Sequence, residues 1–460
     1  MSEPLSAPAA VDPYTAEAFR QVEADLMGRW PENRPGPSIE RIALLCDLIG
    51  HPERSAPVIH ITGTNGKTST ARMIDALLRS MGLRTGRFTS PHTENIRERI
   101  AIDGLPISVD GFIGAWADVA SMVDLVDERS DMRMTFFETL TGMAFAAFAD
   151  APVDVAVLEV GLGGSWDATN VADAQVAVIM PVDLDHTRLL GSTPVEIARE
   201  KAGIIKPGST AIVARQSPEV LEIIAERCAE VGALMKVAGR DFGLLERSLA
   251  VGGQMLRLQG LRDVYDEVIL PLHGAHQAEN AAVALAAVEA FIGSAGPAPT
   301  IDVDVVREGF AMADSPARLE VLRTAPTIII DAAHNPHGAR ATVAALSETF
   351  AFDRLIGVFA CSQEKDVAGI LEAFEPLIDK AVVTENSTTR AMPIAELAEI
   401  AESVFGEDRV VVEPNFEDAL TRAVDLAEED GIAGGAGIIV TGSVYTAGQA
   451  RVLLGTGSRP

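Results

Sequence analysis

The stretch Val58-Ile59-His60-Ile61-Thr62-Gly63-Thr64-Asn65-Gly66-Lys67-Thr68-Ser69 decides how the rest of this chain is read. Val58 to Thr62 is a short run rich in β-branched residues, the pattern of a buried strand. From Thr70 to Met81, apolar residues recur at helical spacing (Ala71, Ile74, Leu77, Leu78, Met81). Gly63, Thr64, Asn65, Gly66, Lys67, Thr68 and Ser69 stand between the two. A phosphate site needs this order. Glycines admit backbone N–H groups to phosphate oxygens, and a helix N-terminus adds partial positive charge. Lys67 adds a full charge, and the Thr68 hydroxyl can bind Mg²⁺. The strict pattern Gly-x-x-x-x-Gly-Lys-Thr is not met, because Ile61 occupies the place of its first glycine. A strand, a turn and a helix with a surface lysine is the plainer reading; the flanking elements favour phosphate.

At 460 residues the chain is too long for one ordinary core, so two domains are expected, with room for a third. Hydrophobic content of 48% with 22% charged residues fits a globular enzyme rather than a disordered chain. A formal net charge of −29 argues against nucleic-acid or anionic-membrane binding over the general surface. An anionic substrate then needs a local cluster of positive charge. Cys46, Cys228 and Cys361 are scattered, in no metal-type spacing, as expected of reduced thiols in a cytoplasmic protein. No signal peptide is visible in residues 1–13, which read as a disordered tail, and no apolar run is long enough to span a bilayer.

Outward from the loop, the chain alternates. Tyr14 to Trp30 reads as an amphipathic helix, Pro35-Gly36-Pro37 as a loop, and Ser38 as the N-cap of Ile39 to Ile49, with Arg41 on the polar side. Ser90-Pro91-His92 lies in a loop that carries a metal ligand, gates a site or simply faces solvent. Thr135 to Phe148 reads as an apolar helix containing Phe137 and Glu138. Val153 to Val160 is a strand that places Glu159 at its carboxyl end, before Gly161-Leu162-Gly163-Gly164; an acid there, opposite a phosphate loop, is a usual source of a Mg²⁺ contact. Gln175 to Val182 is a further strand, running into Asp183-Leu184-Asp185-His186. A helix from Glu196 to Ile205 carries Lys201, and Leu244 to Leu272 suggests a small antiparallel insert. The expected first domain, residues 14–292, is therefore an α/β phosphate-loop unit with a mainly parallel sheet. Residues 293–316 read as a linker, with a short helix from Val303 to Ala311 inside it. Residues 317–460 read as a smaller, Rossmann-like α/β unit. Its first strand ends in Asp331-Ala332-Ala333-His334-Asn335-Pro336, and it has no Gly-x-Gly-x-x-Gly for a dinucleotide.

Taken together these motifs resemble the bifunctional dihydrofolate synthase/folylpolyglutamate synthases, within the Mur ligase superfamily. The resemblance rests on Gly63 to Lys67, Thr89 to His92, Glu159 to Gly164 with Asp167 to Asn170, and Asp185-His186-Thr187. Glu200 to Gly203, His276-Gln277 with Asn280, Arg318, and Asp331 with His334-Asn335-Pro336 complete it. It implies an ATP-dependent ligase that joins L-glutamate to dihydropteroate or a reduced folate through an acyl phosphate. It implies a phosphate role for Gly63 to Ser69, with Lys67 acting on the transferred group. Nucleotide contacts are implied at Asn280, Arg318 and Asp331, with Asp331 and His334 near the reacting end. Ser90 and Glu159 are implied as ligands of a first Mg²⁺, His186 of a second, and Lys201 as a lysine carried as a carbamate. The pterin side is implied near Ile39, Arg41, Pro91, His92, Phe137 and Glu138. A monomer without nucleic-acid or membrane partners is expected.

This chain departs from the family's common Trp-Pro-Gly before Arg318, where it has Ser315-Pro316-Ala317. Two other readings stay open on the sequence. One is a Mur-type ligase of peptidoglycan synthesis, for which the roughly 60 residues before the loop are few for a typical nucleotide-binding domain. The other is a catalytically silent nucleotide-binding module.

Overall fold

The computed structural model describes residues 12–31, 38–294, 296, 300–429 and 435–455. Pro35-Gly36-Pro37, and the expected tail up to residue 11, lie outside the described residues. Among those described, two mainly parallel sheets organise the chain. The strands of the first are β1 (Val58–Thr62), β2 (Thr85–Phe88), β3 (Ile100–Ile102), β4 (Leu105–Pro106), β5 (Val155–Glu159), β6 (Val176–Ile179), β7 (Thr210–Val213) and β8 (Leu234–Val237). Their order is β4-β3-β2-β5-β1-β6-β7-β8, antiparallel only at the β2–β3–β4 edge. A small antiparallel sheet follows, of β9 (Gly243–Ala250), β10 (Gly253–Gln259) and β11 (Val264–Leu270). It is the insert expected from the short β-like runs.

The second parallel sheet is built from β12 (Glu320–Thr324), β13 (Thr327–Ile330), β14 (Arg354–Phe359), β15 (Lys380–Val383), β16 (Val410–Val412) and β17 (Ala436–Thr441). They run β12-β13-β17-β14-β15-β16, with β12 antiparallel at the edge.

The apolar runs explain the parallel sheets. β1, β5 and β6 are buried along their whole length, as strands covered by helices on both faces must be. Ile59 and Ile61 point to one face, where the helices Lys67–Ser80 and Ala275–Ser294 complete a core. The alanine-rich face of the second helix lets the two helices pack closely. Burying each such isoleucine contributes roughly 1.5–3 kcal/mol. On the other face, the helices Ile39–Leu48, Val109–Arg129 and Phe136–Asp150 cover Val58, Phe88 and Leu158. Within the stretch read as a linker, the helix Val303–Ala311 turns Val306 and Phe310 into the first unit's core.

Several boundaries differ from the sequence reading. The loop's helix begins at Lys67 rather than Thr70, with Gly66 as its N-cap. The first helix begins at Pro13, capped by Asp12, inside the stretch read as a tail. Arg41 is not on a polar face. It is buried and donates from Nε to both Glu138 oxygens at 3.1 Å and from Nη2 to one at 2.8 Å. The helix Ile39–Leu48 is capped by Ser38 as expected, but Arg41 lies on its buried face with Ile42, Leu45 and Cys46, away from the exposed Glu40, Ala43 and Asp47, so its charge had to find a buried partner. Glu138 also closes a capping box with Thr135 at the start of its own helix.

Candidate active site

β1 is the switch point of the first sheet: β5 lies on one side and β6 on the other. Ligands of open α/β sheets bind at the carboxyl end of such a point. Here the chain turns through Gly63 (φ 152°) and Gly66 (φ 86°) into the helix Lys67–Ser80. A Cβ on Gly63 would lie 2.5 Å from Met180 Cβ, and one on Gly66 would lie 2.9 Å from Asn280 Oδ1. Both positions therefore require glycine for space as well as for backbone conformation. The Thr64 amide donates to Pro181 O, and its hydroxyl to Asp183 O, each at 2.9 Å, which pins the loop to the segment after β6. Lys67 Nζ folds back to donate to Gly63 O at 3.0 Å. Burial pulls its pKa below the ordinary lysine value, and an anion in the loop would pull it back up.

At the end of β5, Glu159 accepts the Thr68 hydroxyl at 2.8 and 3.0 Å and the Ser90 amide at 3.3 Å. Burial raises its pKa, against the opposing pull of Lys67. A buried carboxylate with the Thr68 hydroxyl on it, in a cavity that Ser90 also lines, is a hard-oxygen donor set, of the kind that takes Mg²⁺ through few protein ligands, with water and phosphate completing the shell. The residues fit that ion.

Opposite them, Lys201 is buried, and its Nζ donates to Gly63 O at 3.0 Å. Burial, helped by the charge of Lys67, lowers its pKa to about 7. A helix ending at Lys201 thus delivers its amine to the underside of the phosphate loop, not to solvent. After β6, His186 adopts φ 49°, a left-handed conformation uncommon outside glycine. Burial first, and then the nearby Lys365 charge, lower its pKa to about 3, which keeps the imidazole neutral, the form that ligates metals.

Residues that follow the strands of the second sheet meet this group. Lys365 Nζ lies 2.5 Å from Asp185 Oδ1 and 3.3 Å from His186 Nε2. His334 Nε2 is 3.7 Å from Asp185 Oδ2, and Asn335 Nδ2 donates to the same oxygen at 3.3 Å and to Asn65 Oδ1 at 3.1 Å. Asn65 in turn reaches His337 Nδ1 at 2.9 Å. Burial opposes the charge on Asp185, but the His334 contact and Lys365 hold it well below the usual carboxylate range. The phosphate loop and the start of the helix Pro336–Thr349 are thus hydrogen-bonded to one another across the two units.

Asn280 bonds Gln277 at 3.1 Å, and Gln277 reaches Ser69 at 3.3 Å, behind the loop. Arg318 sits between Ala317 (φ 57°) and Leu319 (φ 46°). Asp331 and Glu320 hold this strained arch by accepting the amides of Leu319 (3.0 Å) and Ala317 (2.8 Å). Asp331 also accepts from the Ala333 amide and the Thr342 hydroxyl.

Most of these groups line one cavity of about 320 Å³, while Asn335 and Glu320 stand outside its lining. Its walls include Gly63 to Ser69, Ser90, Pro91, Phe137, Glu138, Glu159, His186, Lys201, Asn280, Arg318, Asp331 and His334. Ile39, Arg41 and His92 do not line it. Ile39 packs on the core, Arg41 stands behind Glu138, and His92 accepts a hydrogen bond from Arg99. Lys365, Trp166, Ser362 and Ser443 line it without having been singled out from the sequence. Lys365 and Ser362 follow β14, and Ser443 follows β17, so the strand-end rule applied to every strand would have found them.

This two-sheet architecture around one interfacial cavity is that of the Mur ligases. Residues 61–288 match the Mur ligase middle domain, and residues 317–444 match the Mur ligase glutamate ligase domain. Among curated proteins, the chain is similar to the dihydrofolate synthase/folylpolyglutamate synthase of Mycobacterium tuberculosis, 50% identical over 96% of this chain and 95% of that one. Among solved structures, it is similar to the M. tuberculosis folylpolyglutamate synthase complexed with ADP (TM-score 0.92, 48% identity, 97% of this chain and 100% of that one). It is also similar to the Escherichia coli FolC complex with DHPP and ADP (TM-score 0.82, 28% identity, 96% and 99%). The chain belongs to the dihydrofolate synthase/folylpolyglutamate synthase family.

Proposed function

We propose that this chain uses ATP to join L-glutamate to dihydropteroate, and to the γ-carboxylate of reduced folates. The observation that carries this reading is the single cavity in which the phosphate loop of one unit faces Asp185, His334 and Lys365. A carboxylate oxygen of the acceptor attacks the γ-phosphorus, the bond to the β–γ bridging oxygen breaks, and ADP leaves. The glutamate amine then attacks the acyl carbon, a tetrahedral state forms, the bond to the phosphoryl oxygen breaks, and phosphate departs as the nitrogen loses its proton.

Lys67, with the loop amides, holds the phosphoryl oxygens. Asn280, Arg318 and Asp331 hold the nucleotide, and His334 stands at the reacting end. Thr68, Ser90 and Glu159 would hold one Mg²⁺, and His186 a second. Bound there, Mg²⁺ neutralises charge on the phosphates. Phe137, Glu138 and Pro91 flank the pterin side, with Ile39, Arg41 and His92 supporting them from behind.

Lys201 is proposed to carry a carbamate, because only a neutral amine attacks CO₂ and its lowered pKa supplies one near neutral pH. The nitrogen bonds the carbon, loses a proton, and leaves an anion beside the phosphate loop. A carbonyl signal from ¹³C-bicarbonate that is lost in Lys201→Met checks this. The enzyme is proposed to act as a cytoplasmic monomer on small molecules, without nucleic-acid or membrane partners; no helix among the described residues is long and apolar enough to cross a membrane.

Phosphate release with L-glutamate tests the reaction. Release with dihydropteroate and with tetrahydrofolate is expected. Release only with a muramyl precursor would move the chain to cell-wall chemistry.

A further inference from the structure

The loop carrying Ser90 and the arch carrying Arg318 belong to different units, yet one side chain reaches both. Arg451 lies near the end of the helix Val444–Leu453. Its Nε donates to the two Glu320 oxygens at 3.0 and 3.2 Å, and its Nη1 donates to Glu94. Glu320 is also the acceptor for the Ala317 amide, so it anchors the arch. Glu94 lies in the turn after Ser90, and Glu98 closes that turn. The Glu98 carboxylate accepts the amides of Thr93, Glu94 and Asn95 and the Thr93 hydroxyl, at 2.6 to 2.9 Å.

One turn earlier on the helix, Gly448 meets the same turn through bare backbone. A Cβ there would lie 2.0 Å from Thr93 O. Exposed ion pairs of this kind contribute little. Here the side chains of Arg451, Glu94 and Glu320 are only 21%, 18% and 25% exposed. None of the three lines the cavity, and neither does Gly448.

We propose that Arg451 is a positioning residue. Together with Gly448, it ties the Ser90–Pro91 loop of the first unit to the Arg318 arch of the second, so that the loop is set only when the units are docked. The kinetic part of this inference rests on the ligase reading above; the structural part does not.

Amide exchange of residues 90–99 in the full, ligand-free chain tests the structural part. Arg451→Gln and Gly448→Ala are expected to speed that exchange about tenfold, while the helix Val303–Ala311 keeps its rate. Unchanged exchange in both variants would overturn the brace, whatever the enzyme's substrate. The kcat for glutamate ligation is expected to fall about ten- to a hundredfold in Arg451→Gln. Arg451→Lys should recover part of that loss, and adding Glu94→Gln to Arg451→Gln should cost nothing more. Faster exchange with unchanged kcat, or losses that simply add, would overturn the positioning role. Because the exchange needs no substrate, a failed brace and a failed ligase assignment are distinguishable.

Discussion

The two parallel sheets face one another across the cavity, and they present their strand ends in opposite styles. The first unit uses glycine. Gly66 takes φ 86° where a Cβ would meet Asn280, so backbone amides face the cavity. The second unit uses strain. Ala317 and Leu319 take φ 57° and 46° around Arg318, held there by Glu320 and Asp331. A phosphate loop must bring the backbone itself to the ligand, which only glycine permits. An arginine reaches with its side chain, so the backbone beneath it can be any residue that its neighbours hold in place. The contrast also explains why the family's Trp-Pro-Gly can be Ser315-Pro316-Ala317 here: Ala317 keeps the shape at an energetic cost that the two carboxylates offset.

Substitutions on each side break or sharpen this contrast. The largest effect is expected on the glycine side, from the charge the loop carries. Lys67→Ala should lower kcat for phosphate release by about 10²–10³-fold, measured with saturating ATP. Gly66→Ala should follow, losing about 1–3 kcal/mol of stability from the forced left-handed backbone and the contact with Asn280; denaturant unfolding reads this directly. Ala317→Gly is the mirror experiment. It should raise stability by about 1 kcal/mol, because glycine removes the Cβ penalty at φ 57°.

The most selective effect concerns Lys201. Its folded pKa of about 7 lies below the ordinary value of 10.5, so between these values the unfolded chain binds more protons. In CO₂-free buffer the contribution of this group to stability should therefore rise with pH from about 7 towards 10.5. Its penalty should be fully present below about 7, and Lys201→Met should flatten the profile.

The glycine style is legible in a sequence and the strain style is not. Gly63-x-x-Gly66-Lys67 between a β-branched run and a helical one announces strand, loop and helix at once. The buried strands Val58–Thr62 and Val155–Glu159 were equally plain, because strands covered on both faces are continuously apolar. No glycine marks Ala317 as left-handed; the Glu320 carboxylate on its amide and the Asp331 carboxylate on the Leu319 amide hold it there. The edge strand Glu320–Thr324 mixes polar and apolar residues and carries no clear strand signal for that reason. The helix Val109–Arg129 is absent from the sequence reading above, although its buried Phe112, Ala115, Val119, Val123 and Val126 recur at helical spacing. Arg41 reads as a polar-face residue in the sequence because its partner, Glu138, is 97 residues away. Lys365 reads as a lone lysine until the second sheet brings it to Asp185.

The central claim is that the phosphate loop activates a carboxylate for attack by an amine delivered against the second unit. Dihydropteroate labelled with ¹⁸O in its carboxylate, turned over with ATP and L-glutamate, tests it most directly. An acyl phosphate requires one labelled oxygen to appear in each phosphate released. Phosphate free of label, with the glutamate product still formed, would contradict the account.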